Sequence, residues 1–150
     1  PNGVLVSSQI YDYLGNDIPK DFKLDDDDEM YVLIDSDNDY LTAKYAANGT
    51  ELWAQRYDAR RNDDPRVLDI DIEGGVHVTG GSSNYGSTSQ QMLTIKYNPD
   101  GTLGWLKQQN SGNGYGSFIQ FGKTGETYVG GSTIASGAGN AVMYRYRLCP

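Results

Sequence analysis

The chain has 150 residues and a formal net charge of −8, with 20 Asp and Glu against 12 Lys and Arg. Nucleic-acid phosphates demand clustered Lys and Arg, so this balance excludes a nucleic-acid partner. No apolar run approaches the ~18 residues of a membrane span, and the single Cys, Cys149, excludes a disulfide framework and a Cys-based zinc site.

Nineteen Gly and twelve Tyr, with no sustained i, i+3, i+4 apolar stripe, favour strands and turns over helices. No leader segment is expected, and Pro1 marks either a processed product or an excerpt. In chain order, residues 4–11 form a first strand signal, followed by signals at 22–25, 30–34, 41–45 and 52–57. The same set recurs at 67–72, 76–79, 93–97 and 103–106, and again, one short, at 118–121, 127–129 and 142–146. Alternation is cleanest in the third strand of each set. Leu41, Ala43 and Tyr45 oppose Thr42 and Lys44, and Leu93, Ile95 and Tyr97 oppose Thr94 and Lys96. Strict period two marks a half-buried strand. Asn48-Gly49 and Pro99-Asp100-Gly101 supply hairpin turns between the third and fourth strands.

The chain also repeats itself. Asn2-Gly3 falls on Asn48-Gly49, an offset of 46 positions, and the same offset places Tyr11-Asp12 on Tyr57-Asp58, Asn16-Asp17 on Asn62-Asp63 and Pro19 on Pro65. Four strands recurring at this period read as β-propeller blades. With the strands of a blade lettered A to D, residues 4–11 align with strand D, so the order is D-ABCD-ABCD-ABC. The expected architecture is therefore all-β, one domain over residues 1–150. It comprises three blades, at 21–66, at 67–117 and split between 1–20 and 118–150. Closed propellers need about four to eight blades. The ring is thus expected to close through a homo-oligomer or through flanking propeller repeats, two copies giving six blades.

Asp39–Tyr45, Gly49–Trp53, Asn62-Asp63 and Gly75–Gly80, with a second copy at Leu93–Tyr97 and Gly101–Trp105, resemble the bacterial β-propeller repeat called SBBP. Its pattern is Asp-aromatic-x-Thr-x-Lys-Tyr, then Gly-x-x-x-Trp, a polar loop, and Gly-x-Val-x-Val-Thr-Gly. The resemblance spans nearly the whole chain and weakens in the first strand, where Ser7 stands in place of Trp, and in the last repeat. It implies a secreted or cell-surface bacterial protein with a propeller fold. It supplies no reaction.

Asp35, Asp37 and Asp39 have the Asp-x-Asp-x-Asp spacing of calcium loops but lack the turn Gly and the downstream Glu, so a hairpin loop is preferred to a Ca2+ site. The run from Asp25 to Glu29 reads in the same way as a solvated turn ahead of a cation site. His77, the sole His, has no nucleophile or metal-ligand partner in any motif, and a packed, hydrogen-bonded role is expected. Loops at 13–21, 60–66, 82–91, 110–117 and 133–140 are expected on one face. There Tyr13, Asn16, Asp17, Arg60, Asn62, Asp63, Tyr85 and Tyr115 are the candidate ligand-binding residues. Aromatic platforms beside amides and carboxylates suit a glycan, although the same residue types are ordinary turn formers. The expected function is a non-enzymatic binding or scaffold module that engages a surface protein, with a glycan-binding lectin as the alternative and no cofactor or membrane insertion.

Overall fold

The computed structural model describes all residues except 1, 6, 7, 9, 14, 59, 60, 85, 86, 88, 110, 111, 136 and 148–150. Its described residues are all-β, with eleven strands: β1 (Asp17–Leu24), β2 (Met30–Ser36), β3 (Asp39–Tyr45), β4 (Glu51–Tyr57), β5 (Arg61–Ile70), β6 (Val76–Asn84), β7 (Gln91–Tyr97), β8 (Leu103–Gln109), β9 (Asn113–Phe121), β10 (Thr127–Ala135) and β11 (Ala138–Tyr146). They pair antiparallel with their sequence neighbours into three sheets, β1-β2-β3-β4, β5-β6-β7-β8 and β9-β10-β11. The turns follow from their residues. Gly101 has φ +84°, a region open to Gly at no steric cost, and its N–H donates to Asn98 O at 2.9 Å. Asp37 and Asn38 both have positive φ, the signature of a two-residue type I′ hairpin turn, so Asp35 to Asp39 do form the expected hairpin.

Two expectations are corrected. The first strand of each set begins well before its predicted start, so Asp17, Asn62, Asp63 and Tyr115 lie on strands β1, β5 and β9 instead of loops. A bulge lets each strand run past its proline: the register shifts between Pro19 and Asp21 in β1, and between Pro65 and Val67 in β5. The second correction concerns residues 4–11. Among the described residues no strand precedes Asp17. Residues 6, 7 and 9 of that segment lie outside the described residues. Instead, the Tyr11 ring packs on Tyr45 (centroids 4.0 Å apart) and its hydroxyl donates to Gly49 O at 3.3 Å.

The sheets stack face to face. The second sheet turns Leu68, Val76, Val78, Leu93 and Ile95, all fully buried, toward Tyr31, Leu33 and Tyr40 of the first. Its other face carries Met92, which packs with Ile119 and Val129 of the third. Fully burying side chains of this kind contributes ~1.5–3 kcal/mol each. Along the backbone, β5 runs close to β1, β2 and β3, and β9 runs close to β5, β6 and β7. Strands β4 and β8 have no comparable backbone neighbour in the next sheet. The sheets therefore meet along their first strands and splay at their fourth.

Candidate functional site

At the end of the first sheet nearest the β2–β3 turn, short polar side chains converge on Arg56. Its guanidinium donates to Asp39 Oδ2 (2.9 Å), Ser36 O (3.0 Å) and Ser36 Oγ (2.6 Å), and reaches Tyr13 O at 3.4 Å. Asp17 Oδ2 accepts the Tyr13 N–H at 2.8 Å. The Ser36 hydroxyl and then this N–H hold the Asp17 carboxyl below its ordinary range. Asp37 accepts the Asn16 N–H at 3.0 Å, and Asp35 pairs with Lys20 at 3.0 Å. The three aspartates of the calcium-like spacing are thus each engaged by a different partner. Among the described residues, no group of three His, Cys, Asp or Glu is arranged to hold a metal ion.

Of the candidate binding residues, Tyr13, Asn16 and Asp17 come together at this end. The Tyr13 hydroxyl bonds the Tyr45 hydroxyl and donates to Glu51 Oε2 at 2.7 Å, so its ring is tied down on the sheet. Asp63 is buried, and its N–H donates to Asn38 O at 2.8 Å, joining the second sheet to the first. Asn62 O accepts from Ser83 Oγ at 3.1 Å. Tyr115 lies apart from these, under the Arg66 guanidinium at 3.4 Å from the ring centroid, with Arg66 paired to Asp64 at 2.8 Å. Arg60 and Tyr85 fall outside the described residues.

A second cluster, at the junction of the second and third sheets, was not assembled from sequence. His77 is 2% exposed. Its Nε2 lies 2.9 Å from Asp71 Oδ2, and its Nδ1 lies 3.3 Å from Thr127 Oγ1. A carboxylate only accepts, so Nε2 carries the ring proton and Nδ1 takes the Thr127 hydroxyl. Lys96 Nζ shares Asp71 Oδ2 at 2.6 Å. Burial opposes charge on Asp71, but His77, Lys96 and the Gly75 N–H outweigh it and hold the carboxyl well below its usual range. For His77, burial wins over Asp71 and lowers its pKa. The nucleophile–base–acid order of Thr127, His77 and Asp71 superficially matches a hydrolytic triad. Here Thr127 is 4% exposed, and the imidazole is wedged between Trp105 and Phe121 with ring centroids 5.5 and 4.8 Å away. This chain of hydrogen bonds fastens two sheets together. The available signal was the recurrence of Lys44 and Lys96 at one repeat position, each paired to an acid of the preceding β-turn: Lys44 with Glu29 at 2.6 Å, Lys96 with Asp71.

Beside His77 opens a cleft of about 400 Å3 between the sheets, lined by Lys96, Trp105, Lys107, Tyr146 and Arg147 among others. Trp105 and Tyr146 flank one another, with ring centroids 5.2 Å apart. No known protein family and no curated protein matches the sequence.

Proposed function

We propose that the chain is a segment of a β-propeller of the SBBP-like type, acting as a non-enzymatic binding or scaffold module in a secreted or cell-surface setting, its ring completed by other copies or by flanking repeats. The observation that carries this reading is the splay of the stack. Strands β5 and β9 each pack across three strands of the preceding sheet while β4 and β8 have no comparable backbone neighbour in the next one, an arrangement expected of blades around an axis. Small-angle X-ray scattering on the purified chain tests it. A curved, wedge-shaped envelope, or a closed ring where copies assemble, supports the propeller segment, and a straight stack or a closed single-sheet barrel refutes it.

One observation favours the lectin alternative. The cleft between the second and third sheets combines the half-buried rings of Trp105 and Tyr146 with the cationic Lys107 and Arg147. A sugar ring packs its C–H groups on aromatic faces while polar side chains hold its hydroxyls. On this reading the glycan would sit between the second and third sheets, away from the tethered Tyr13. A glycan array read with the native chain and with Trp105→Ala tests it: binding that the variant loses supports the lectin, and a blank array removes it.

A further inference from the structure

We propose that the cleft between the second and third sheets takes an acidic saccharide, a short sugar chain bearing carboxylate or sulfate groups. This rests on the lectin reading above and names the class of glycan.

Strand register sets one wall. Lys96 lies opposite Trp105 and Thr94 opposite Lys107, so Lys96, Trp105 and Lys107 share the face of the second sheet that meets the third. Four cationic side chains, Lys96, Lys107, Arg145 and Arg147, line the cleft together with Trp105 and Tyr146, and no carboxylate among the described residues does. The whole chain has 20 acids against 12 bases, so the sign of this lining is the reverse of the protein's. The carboxylates behind the wall are already engaged. Asp71 takes Lys96 at 2.6 Å, and Glu126 takes Arg147 at 2.8 Å and the Thr124 hydroxyl. Lys107 and Arg145 make no ion pair among the described residues. Unbalanced positive charge in a partly enclosed cleft concentrates anions there.

The junction of the first and second sheets supplies the comparison. It carries the same aromatic pair, Trp53 and Tyr97, with ring centroids 6.2 Å apart. Where Lys107 lies opposite Thr94, however, the first junction has Gln55 opposite Thr42. Where Arg147 follows Tyr146, Asn98 follows Tyr97. The aromatic pair therefore belongs to the repeat, and the cations belong to this cleft. The groove between the β1–β2 and β5–β6 turns is of the opposite sign, lined by Asp25, Asp26, Asp27, Asp69 and Asp71 with Lys23.

The cleft's volume of about 400 Å3 is at the small end of the ~300–1,000 Å3 of ligand sites, which suits a short saccharide. A sugar ring packs on Trp105 or Tyr146, and its acid group meets Lys107 and Arg147 through charge-assisted hydrogen bonds, which are about twice as strong as neutral ones. Arg147 stays 68% exposed although paired.

Isothermal titration calorimetry tests this with a neutral glucan tetrasaccharide, a sulfated one and an oligogalacturonate of equal length. At least one acidic ligand is expected to bind the native chain at least about tenfold more tightly than the neutral one, with an affinity that falls as salt rises. Preference for the galacturonate assigns a carboxylate and preference for the sulfated glucan a sulfate; either supports the proposal. Lys107→Gln, which installs the residue of the first junction, is expected to erase most of the preference and leave neutral binding unchanged. Trp105→Ala keeps the charge and is expected to abolish binding, while the milder Trp105→Phe retains the preference at reduced affinity. Far-UV circular dichroism and urea midpoints close to native show that the variants are folded. A neutral tetrasaccharide bound as tightly as both acidic ones overturns the acidic class and leaves the lectin standing. Acidic binding that survives both Lys107→Gln and Trp105→Ala overturns it as a charge contact made elsewhere. No binding of any of the three overturns it as well, and the lectin itself is judged separately by the glycan array.

Discussion

Replacing Asp71 by Asn is expected to destabilise the fold by about 3 kcal/mol, because it removes the shared acceptor at the junction of the second and third sheets. The Oδ1 atom accepts turn N–H groups from Glu73 (3.0 Å) and Gly75 (2.8 Å), and an amide oxygen preserves both. The Oδ2 atom takes Lys96 Nζ at 2.6 Å and His77 Nε2 at 2.9 Å, and an amide NH2 there faces two donors. Lys96 is 8% exposed. Breaking one side of a buried ion pair costs ~3–5 kcal/mol, while losing a charge-assisted hydrogen bond costs ~1.5–3 kcal/mol. Because the ammonium lies at the wall of the open cleft, water relieves part of the loss, and the lower end of the first range applies. For a chain of this size, the melting temperature then falls by ~6–12 °C. Urea titration followed by tryptophan fluorescence at neutral pH measures it, with Trp105 reporting from 5.5 Å off His77. Adding Lys96→Met, which removes the stranded charge, restores part of the loss. A change below ~0.5 kcal/mol, within the range of ordinary surface substitutions, refutes the assigned role, as does a double variant no more stable than Asp71→Asn alone.

His77 gives an acid limb. Burial lowers its folded pKa below the ordinary 6.5, so the unfolded chain binds the proton more readily; this stability is complete above the unfolded pKa and is lost as pH falls toward the folded one. An NMR titration of the His77 ring at or above 6.5 contradicts this, and His77→Gln flattens the limb. Gly116→Ala is expected to cost about 1–3 kcal/mol by overpacking, since its Cβ lands on the Thr79 side chain, which is fully buried and held by Leu93 O at 2.8 Å. Gly139→Ala, with nothing within 4 Å of the new Cβ, is the matched control, and equal urea midpoints for the two would defeat the close-packing argument. Calcium is expected to leave the melting temperature unchanged, because Asp35 and Asp39 are already held by Lys20 and Arg56. A rise that scales with added calcium overturns that.

The alternation of Leu41 to Tyr45 and of Leu93 to Tyr97 located the third strands, because opposite faces of a strand meet different neighbours. The Gly turns were legible for the same local reason. The extent of the first strands was hidden: Pro19 and Pro65 read as loop residues, and only the pairing partners Ile34 and Gly80 reveal a strand carried through a bulge. The candidate polar residues were chosen for sugar-binding chemistry, and most of those described turn out to serve turns and sheet contacts. Asp71, His77 and Lys96 are spread over 26 positions and become one unit only when β6, β7 and the turn between β5 and β6 are brought together. Periodicity reports which face a residue takes, and not which partner waits there.

Among the described residues, the middle sheet is the one covered by another sheet on both sides, by the first through Tyr31, Leu33 and Tyr40 and by the third through Ile119 and Val129. In a stack of this kind each layer is held by its nearest neighbours, so cooperativity propagates outward from β5–β8. Amide hydrogens of β6 and β7 should exchange last, those of β1 and β11 first, and fraying from either end becomes the lowest-energy route to opening.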